Sequence, residues 1–83
     1  MPEFRFGVSV LPKAGILDPQ GQAIEQSLAH LELSGIRDVR VGRRVELTVA
    51  APDASAAEAV ARRLAEQLLV NPLVETFSME PIG

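Results

Sequence analysis

A chain of 83 residues with 47% apolar side chains makes one small domain, residues 1–83, whose core is thin for its surface. It has no cysteine and one histidine, His30, which excludes disulfides, thiolate metal sites and multi-histidine centres. A net charge of −3, from 8 basic and 11 acidic residues, argues against a general nucleic-acid binder, whose affinity comes from neutralised phosphates.

The first segment, "MPEFRFGVSVLPK", carries charges through its apolar stretch and has no basic leader, so it does not read as a signal peptide. No run approaches the roughly 18 apolar residues of a membrane span. A cytoplasmic protein with neither a membrane nor a nucleic-acid partner is the expectation. Phe4, Phe6, Val8 and Val10 alternate with Glu3, Arg5, Gly7 and Ser9, which is the period of a strand with one buried face. Pro12 and Gly15 then break it.

Over residues 19–33 the period changes. Ile24, Leu28 and Leu31 stand four and three apart, on one face of a helix. Asp18 suits the N-cap, Pro19 the first helical position and Gly35 the left-handed residue after the helix. Gly21 is the anomaly, because glycine inside a helix costs about 1 kcal/mol relative to alanine.

Val39 and Val41, then Val45, Leu47 and Val49, alternate with polar residues on either side of Gly42-Arg43. Two strands joined by a tight hairpin with a positive-φ glycine fit this pattern, and so does one long bent strand. Ser55-Ala56-Ala57-Glu58 fits a capping box for a second helix, with Ala57, Val60, Ala61, Leu64 and Leu68 as its buried stripe. Asn71-Pro72 ends it, and Leu73, Val74, Phe77 and Met79 make a last strand. The order β-α-β-β-α-β predicts an α+β, ferredoxin-like two-layer sandwich, an antiparallel sheet with both helices on one face. On the other face Gly7, Ser9, Thr48 and Ser78 interrupt the charges. That suits either solvent or a second copy approaching closely.

The sequence is poor in chemistry. No acidic residue is placed beside His30, and no nucleophile stands beside a base. There is no GxxxxGK[ST] loop, and the glycines at 7, 15 and 21 make no dinucleotide fingerprint. All three aromatics, Phe4, Phe6 and Phe77, are expected in the core, which leaves none to stack on RNA. Arg37, Arg40, Arg43 and Arg44 cluster around the central turn. They read either as solvated strand ends paired with Asp38 and Glu46 or as a dock for an acidic surface.

Three motifs nevertheless stand out together. Residues 13–23 read K-A-G-I-L-D-P-Q-G-Q-A, residues 36–43 read I-R-D-V-R-V-G-R, and residues 71–75 read N-P-L-V-E. In this order and spacing they resemble the PurS family, the small subunit of bacterial formylglycinamidine ribonucleotide amidotransferase. The resemblance spans essentially the whole chain. Arg43 stands where lysine is common, and the first helix ends in a longer "LELSG".

What the resemblance implies is a non-catalytic subunit of phosphoribosylformylglycinamidine synthase in de novo purine synthesis. Its partners would be a large ATP-dependent synthase subunit and a glutaminase subunit, which it would bridge, supporting assembly and ammonia transfer. It would form a homodimer or homotetramer. No cofactor is expected in this chain, with ATP and Mg on the synthase subunit. The motif residues Asp18, Pro19, Gln20, Gly21, Arg40, Arg43, Asn71 and Pro72 become candidate subunit-interface residues. Gly21 would then allow another backbone to approach the first helical turn, and alanine there would leave the isolated fold unharmed. The alternative is a regulatory ACT-like module binding a small amino acid at a dimer interface, with Gly15 in the loop after its first strand.

Overall fold

The computed structural model describes residues 1–83. Strand β1 (Glu3–Pro12) leads to helix α1 (Pro19–Ser27), which tightens into a 3-10 turn over Leu28–Leu31. Strand β2 (Arg43–Ala50), helix α2 (Ala54–Leu64) with a π turn over Ala65–Leu69, and strand β3 (Glu75–Ile82) follow. The sheet is antiparallel throughout, in the order β2-β1-β3. The α+β, ferredoxin-like class stands, with three strands rather than four. No helix is long and apolar enough to cross a membrane.

The fourth strand is absent because the backbone donors of residues 39–41 go elsewhere. Val41 N–H donates to the Asp18 carboxylate at 2.7 Å, and Val39 N–H donates to Glu25 at 3.4 Å. Asp38 enters the segment in the left-handed region, at φ 58°. With its donors held by side chains near α1, the segment has no ladder to join. There is accordingly no hairpin at Gly42, and Gly42 has no positive φ. A methyl group there would collide with the Val10 carbonyl, so glycine lets β2 start tight against β1.

The first helix is shorter than the 19–33 expectation. It ends through the 3-10 turn at Glu32, which adopts φ 56° in the left-handed region; Gly35, at φ 80°, lies three residues further on. The second helix is capped not by Ser55 but by Asp53, whose carboxylate accepts from Ala56 N–H at 2.8 Å. Its buried stripe also shifts. Ala57, Ala61 and Ala65 are fully buried, while Val60 and Leu68 face outward. The sheet supplies the bulk with Phe6, Val8, Val10 and Val49, so the helix that closes on it must offer small side chains.

One core cluster joins Phe6, Val49 and Ala51 to Ala57 and Ala61; a second joins Val8 and Val10 to Ala65 and Val70. Helix α2 therefore lies on the sheet. Helix α1 belongs to an excursion, residues 13–42, that departs and returns at the Val10–Arg43 pair. Its contacts run to residues 39–41, and Ile24 and Leu31 remain exposed.

The opposite face of the sheet is occupied by its own charges. The Arg44 guanidinium lies over Gly7 and reaches Glu80 of β3 at 2.9 Å and Glu46 at 3.1 Å, while Arg5 lies 3.6 Å from Glu46. Gly7 is small because this arginine covers it.

Candidate functional site

The three motifs converge where the sheet meets the excursion, and they form two knots. The first is built on Asp18. Its Oδ1 accepts from Gly21 N–H at 3.0 Å, capping α1, and its Oδ2 accepts from Val41 N–H at 2.7 Å. One carboxylate thus starts the helix and ties down the returning chain. These N–H groups, Gly21's first and Val41's second, hold the Asp18 carboxyl below its ordinary range, with Arg40 adding to the effect. Pro19 occupies the first helical turn, where its missing N–H is no loss.

Gly21 is buried, and a methyl group on it would run into the carbonyl oxygen of Val39. The close approach that glycine permits is therefore made by the same chain. The expectation that alanine would be harmless to the isolated fold is corrected by that carbonyl. Gln20 is exposed, and Arg40 donates to the Pro12 carbonyl at 3.0 Å, bracing the excursion against the end of β1.

The second knot is built on Arg43 and Glu75. The guanidinium meets the carboxylate in a two-pronged pair, Nη1–Oε2 at 2.7 Å and Nη2–Oε1 at 3.0 Å, and it also donates to the Leu69 carbonyl. Asn71 N–H donates to Glu75 Oε1 at 2.8 Å, and Asn71 Oδ1 accepts from Leu73 N–H at 3.2 Å. Lys13 Nζ donates to the Pro72 carbonyl at 2.6 Å, and Lys13 N–H donates to Val74. Arg43, then the Asn71 N–H, push the Glu75 carboxyl down to about 2, and Glu75 raises Arg43.

The structure thus brings Asp18, Gly21 and Arg40 together in one knot and Arg43, Asn71 and Pro72 in the other. Lys13 and Glu75, which the sequence reading did not single out, complete the second. They open the first motif and close the last, and that position was the signal available. The four arginines around the turn form no shared patch. Arg37 faces Asp38 at 3.8 Å, Arg40 faces Pro12, Arg43 faces Glu75 and Arg44 faces Glu46 and Glu80.

Between the knots and the excursion lies an open cleft of about 450 Å³ lined by Lys13, Gly15, Asp18, Gln22, Asp38 and Arg40. Its charges are mixed in sign and mostly engaged. An apolar cleft of about 470 Å³ at the far end of the sheet, floored by Phe4, Phe6 and Met79, contains none of the motif residues. No group of three or more His, Asp or Glu side chains is arranged to hold a metal ion. His30 is exposed on the 3-10 turn. What this geometry does is fix one end of the molecule in shape.

Residues 5–82 match the family model described as PurS: Phosphoribosylformylglycinamidine (FGAM) synthase. The Thermotoga maritima phosphoribosylformylglycinamidine synthase subunit PurS is 30% identical over 82 residues, covering 99% of this chain and all of that one. The Mycobacterium leprae subunit of the same name is 42% identical over 72 residues, covering 87% of each. Among solved structures, a chain in the Structure of PurLQS from Thermotoga maritima superposes with a TM-score of 0.89 at 30% identity, covering 99% of this chain and 100% of that chain. Thermus thermophilus PurS superposes with a TM-score of 0.82 at 32% identity, with the same coverage.

Proposed function

This chain belongs to the PurS family of phosphoribosylformylglycinamidine synthase subunits, and from that premise we propose that it is the small, non-catalytic subunit of that synthase in de novo purine biosynthesis. It works in the cytoplasm as a homodimer or homotetramer. It bridges a large synthase subunit, which carries ATP and Mg, to a glutaminase subunit, and it supports their assembly and the passage of ammonia. The observation that carries this reading is the whole-length likeness to a chain in a structure titled PurLQS. The empty chemistry supports it: there is no cysteine, no phosphate loop and no metal cluster, so the contribution lies in shape and contact.

Reconstitution tests the proposal. The pure chain should show no glutaminase and no ATPase activity. Glutamine-dependent synthase activity of the two partner subunits should need its addition. Turnover by the isolated chain, or full synthase activity without it, refutes the reading.

A further inference from the structure

The molecule is too extended for its mass. Its radius of gyration is 16.6 Å and its longest dimension is 52 Å, whereas a compact chain of this length has a radius of about 12 Å. Its accessible surface is 5966 Å², against roughly 4,800 Å² for a compact monomer of this mass. The excess of about 1,150 Å² exceeds the roughly 800 Å² that each partner gives to a standard stable interface.

Much of that surface belongs to the excursion. Within residues 13–42 only Gly21 is buried. Leu17, Ile24, Leu31, Leu33 and Ile36 all lie there, between 45% and 69% exposed. Such a concentration of uncovered large apolar side chains marks a surface that is covered in the working molecule.

We propose that this excursion is the self-association surface of the chain, and that its occupant is the excursion of a second copy. The inference rests on the reading above that the protein self-associates, and it assigns the residues that do so. Beyond the area, the polar chemistry of the segment selects the occupant. Between Pro19 and Leu31, Glu25 is the only charged side chain, and its carboxylate is already turned to Val39 N–H. The other polar groups include Gln20, Gln22 and Gln26. An amide carries both donor and acceptor and can pair with its own kind, as a two-fold interface requires; an array of carboxylates or guanidiniums cannot.

The rival apolar surface is the outer face of α2, with Val60 and Leu68. It is flanked by Arg62, Arg63 and Glu66, whose charges would be set against copies of themselves or desolvated. The open face of the sheet is already tied up by its own ion pairs.

Sedimentation equilibrium of the full chain at micromolar concentration should give a dimer or a dimer of dimers. The double variant Ile24→Glu, Leu31→Glu should raise the dimer dissociation constant by at least ~100-fold, since each two-fold contact buries the pair twice. Leu68→Glu should leave it unchanged. Because a charged variant can fail to fold, hydrogen exchange on the unaltered chain gives a second reading. The amides of residues 24–31 should gain protection as concentration rises through the association range, while those of α2 should not. A wild-type chain that stays monomeric refutes both the self-association reading and this assignment. A dimer whose concentration-dependent protection falls on α2 or on a sheet edge refutes the assignment alone, and so does dissociation by Leu68→Glu.

Discussion

The two connections of this sheet solve the same problem by different means. Between β2 and β3 the chain crosses over through α2, which lays Ala57, Ala61 and Ala65 against the apolar side of the strands and is held by burial. Between β1 and β2 it makes the longer excursion, which buries only Gly21 and is held by directed bonds from Asp18, Glu25 and Arg40. Burial is non-directional and spreads over many atoms. A carboxylate holding two backbone donors is local and specific. The first region should therefore unfold with the whole molecule, and the second should be able to open by itself.

Phe6→Ala tests the burial side and carries the largest effect. Emptying that site should cost about 3–5 kcal/mol, a large part of the total stability of a domain this small. In urea it should lower the midpoint for sheet and excursion alike. Gly21→Ala tests the other side. The added methyl meets the Val39 carbonyl, part of a backbone that is itself fastened on both sides. Overpacking of this kind costs about 1–3 kcal/mol. Amides of residues 39–41 should lose exchange protection first, with those of β1 and β2 little changed. A variant that melts higher than the parent would place the loop elsewhere in solution.

Acid should separate the regions by titration. Glu75 is held at about 2 against an ordinary 4.5, and Asp18 below an ordinary 3.8. A carboxyl depressed in the folded state stabilises it above the unfolded value, and that contribution is lost as pH falls through the folded one. Stability should therefore decline from about pH 4.5 toward 2. Glu75→Gln should flatten that limb while Asp18 keeps its part, and melting curves against pH read the difference.

The smallest effect is expected at Gly7. A methyl there also meets a neighbour, but the neighbour is the far end of the Arg44 side chain, which can swing aside on an exposed face. Gly7→Ala should stay within about 0.5 kcal/mol in denaturant melts. Together with Gly21→Ala it separates a glycine fitted to backbone from one fitted to a movable side chain.

This contrast also marks what the sequence could express. The alternation in β1 and the Asp18-Pro19 start of α1 were plain, because local periodicity and capping decide them. The strand assigned to Val39 and Val41 was not found, because carboxylates from residues 18 and 25 claim their donors and no local pattern encodes that. The inward face of α2 was misjudged, because a preference for large apolar residues points to Val60 and Leu68, while a sheet already filled with valine and phenylalanine selects alanine. The motifs were legible as motifs. That Gly21, Arg43 and Asn71 turn toward their own chain was not, since their partners lie 18, 32 and 4 residues away in a direction that spacing does not give.

The place of β1 at the centre of the sheet has a kinetic consequence. Its partners are residues 43–50 on one side and 75–82 on the other, so none of its ladders is local. During synthesis β1 is the first strand made, yet Phe4, Phe6, Val8 and Val10 must wait for most of the chain before either edge is satisfied. Closing loops of that length before any pairing is gained slows folding. Until then an apolar, uncharged stretch of strand-forming sequence stands unpaired on both sides, which is the condition under which chains find one another instead of themselves.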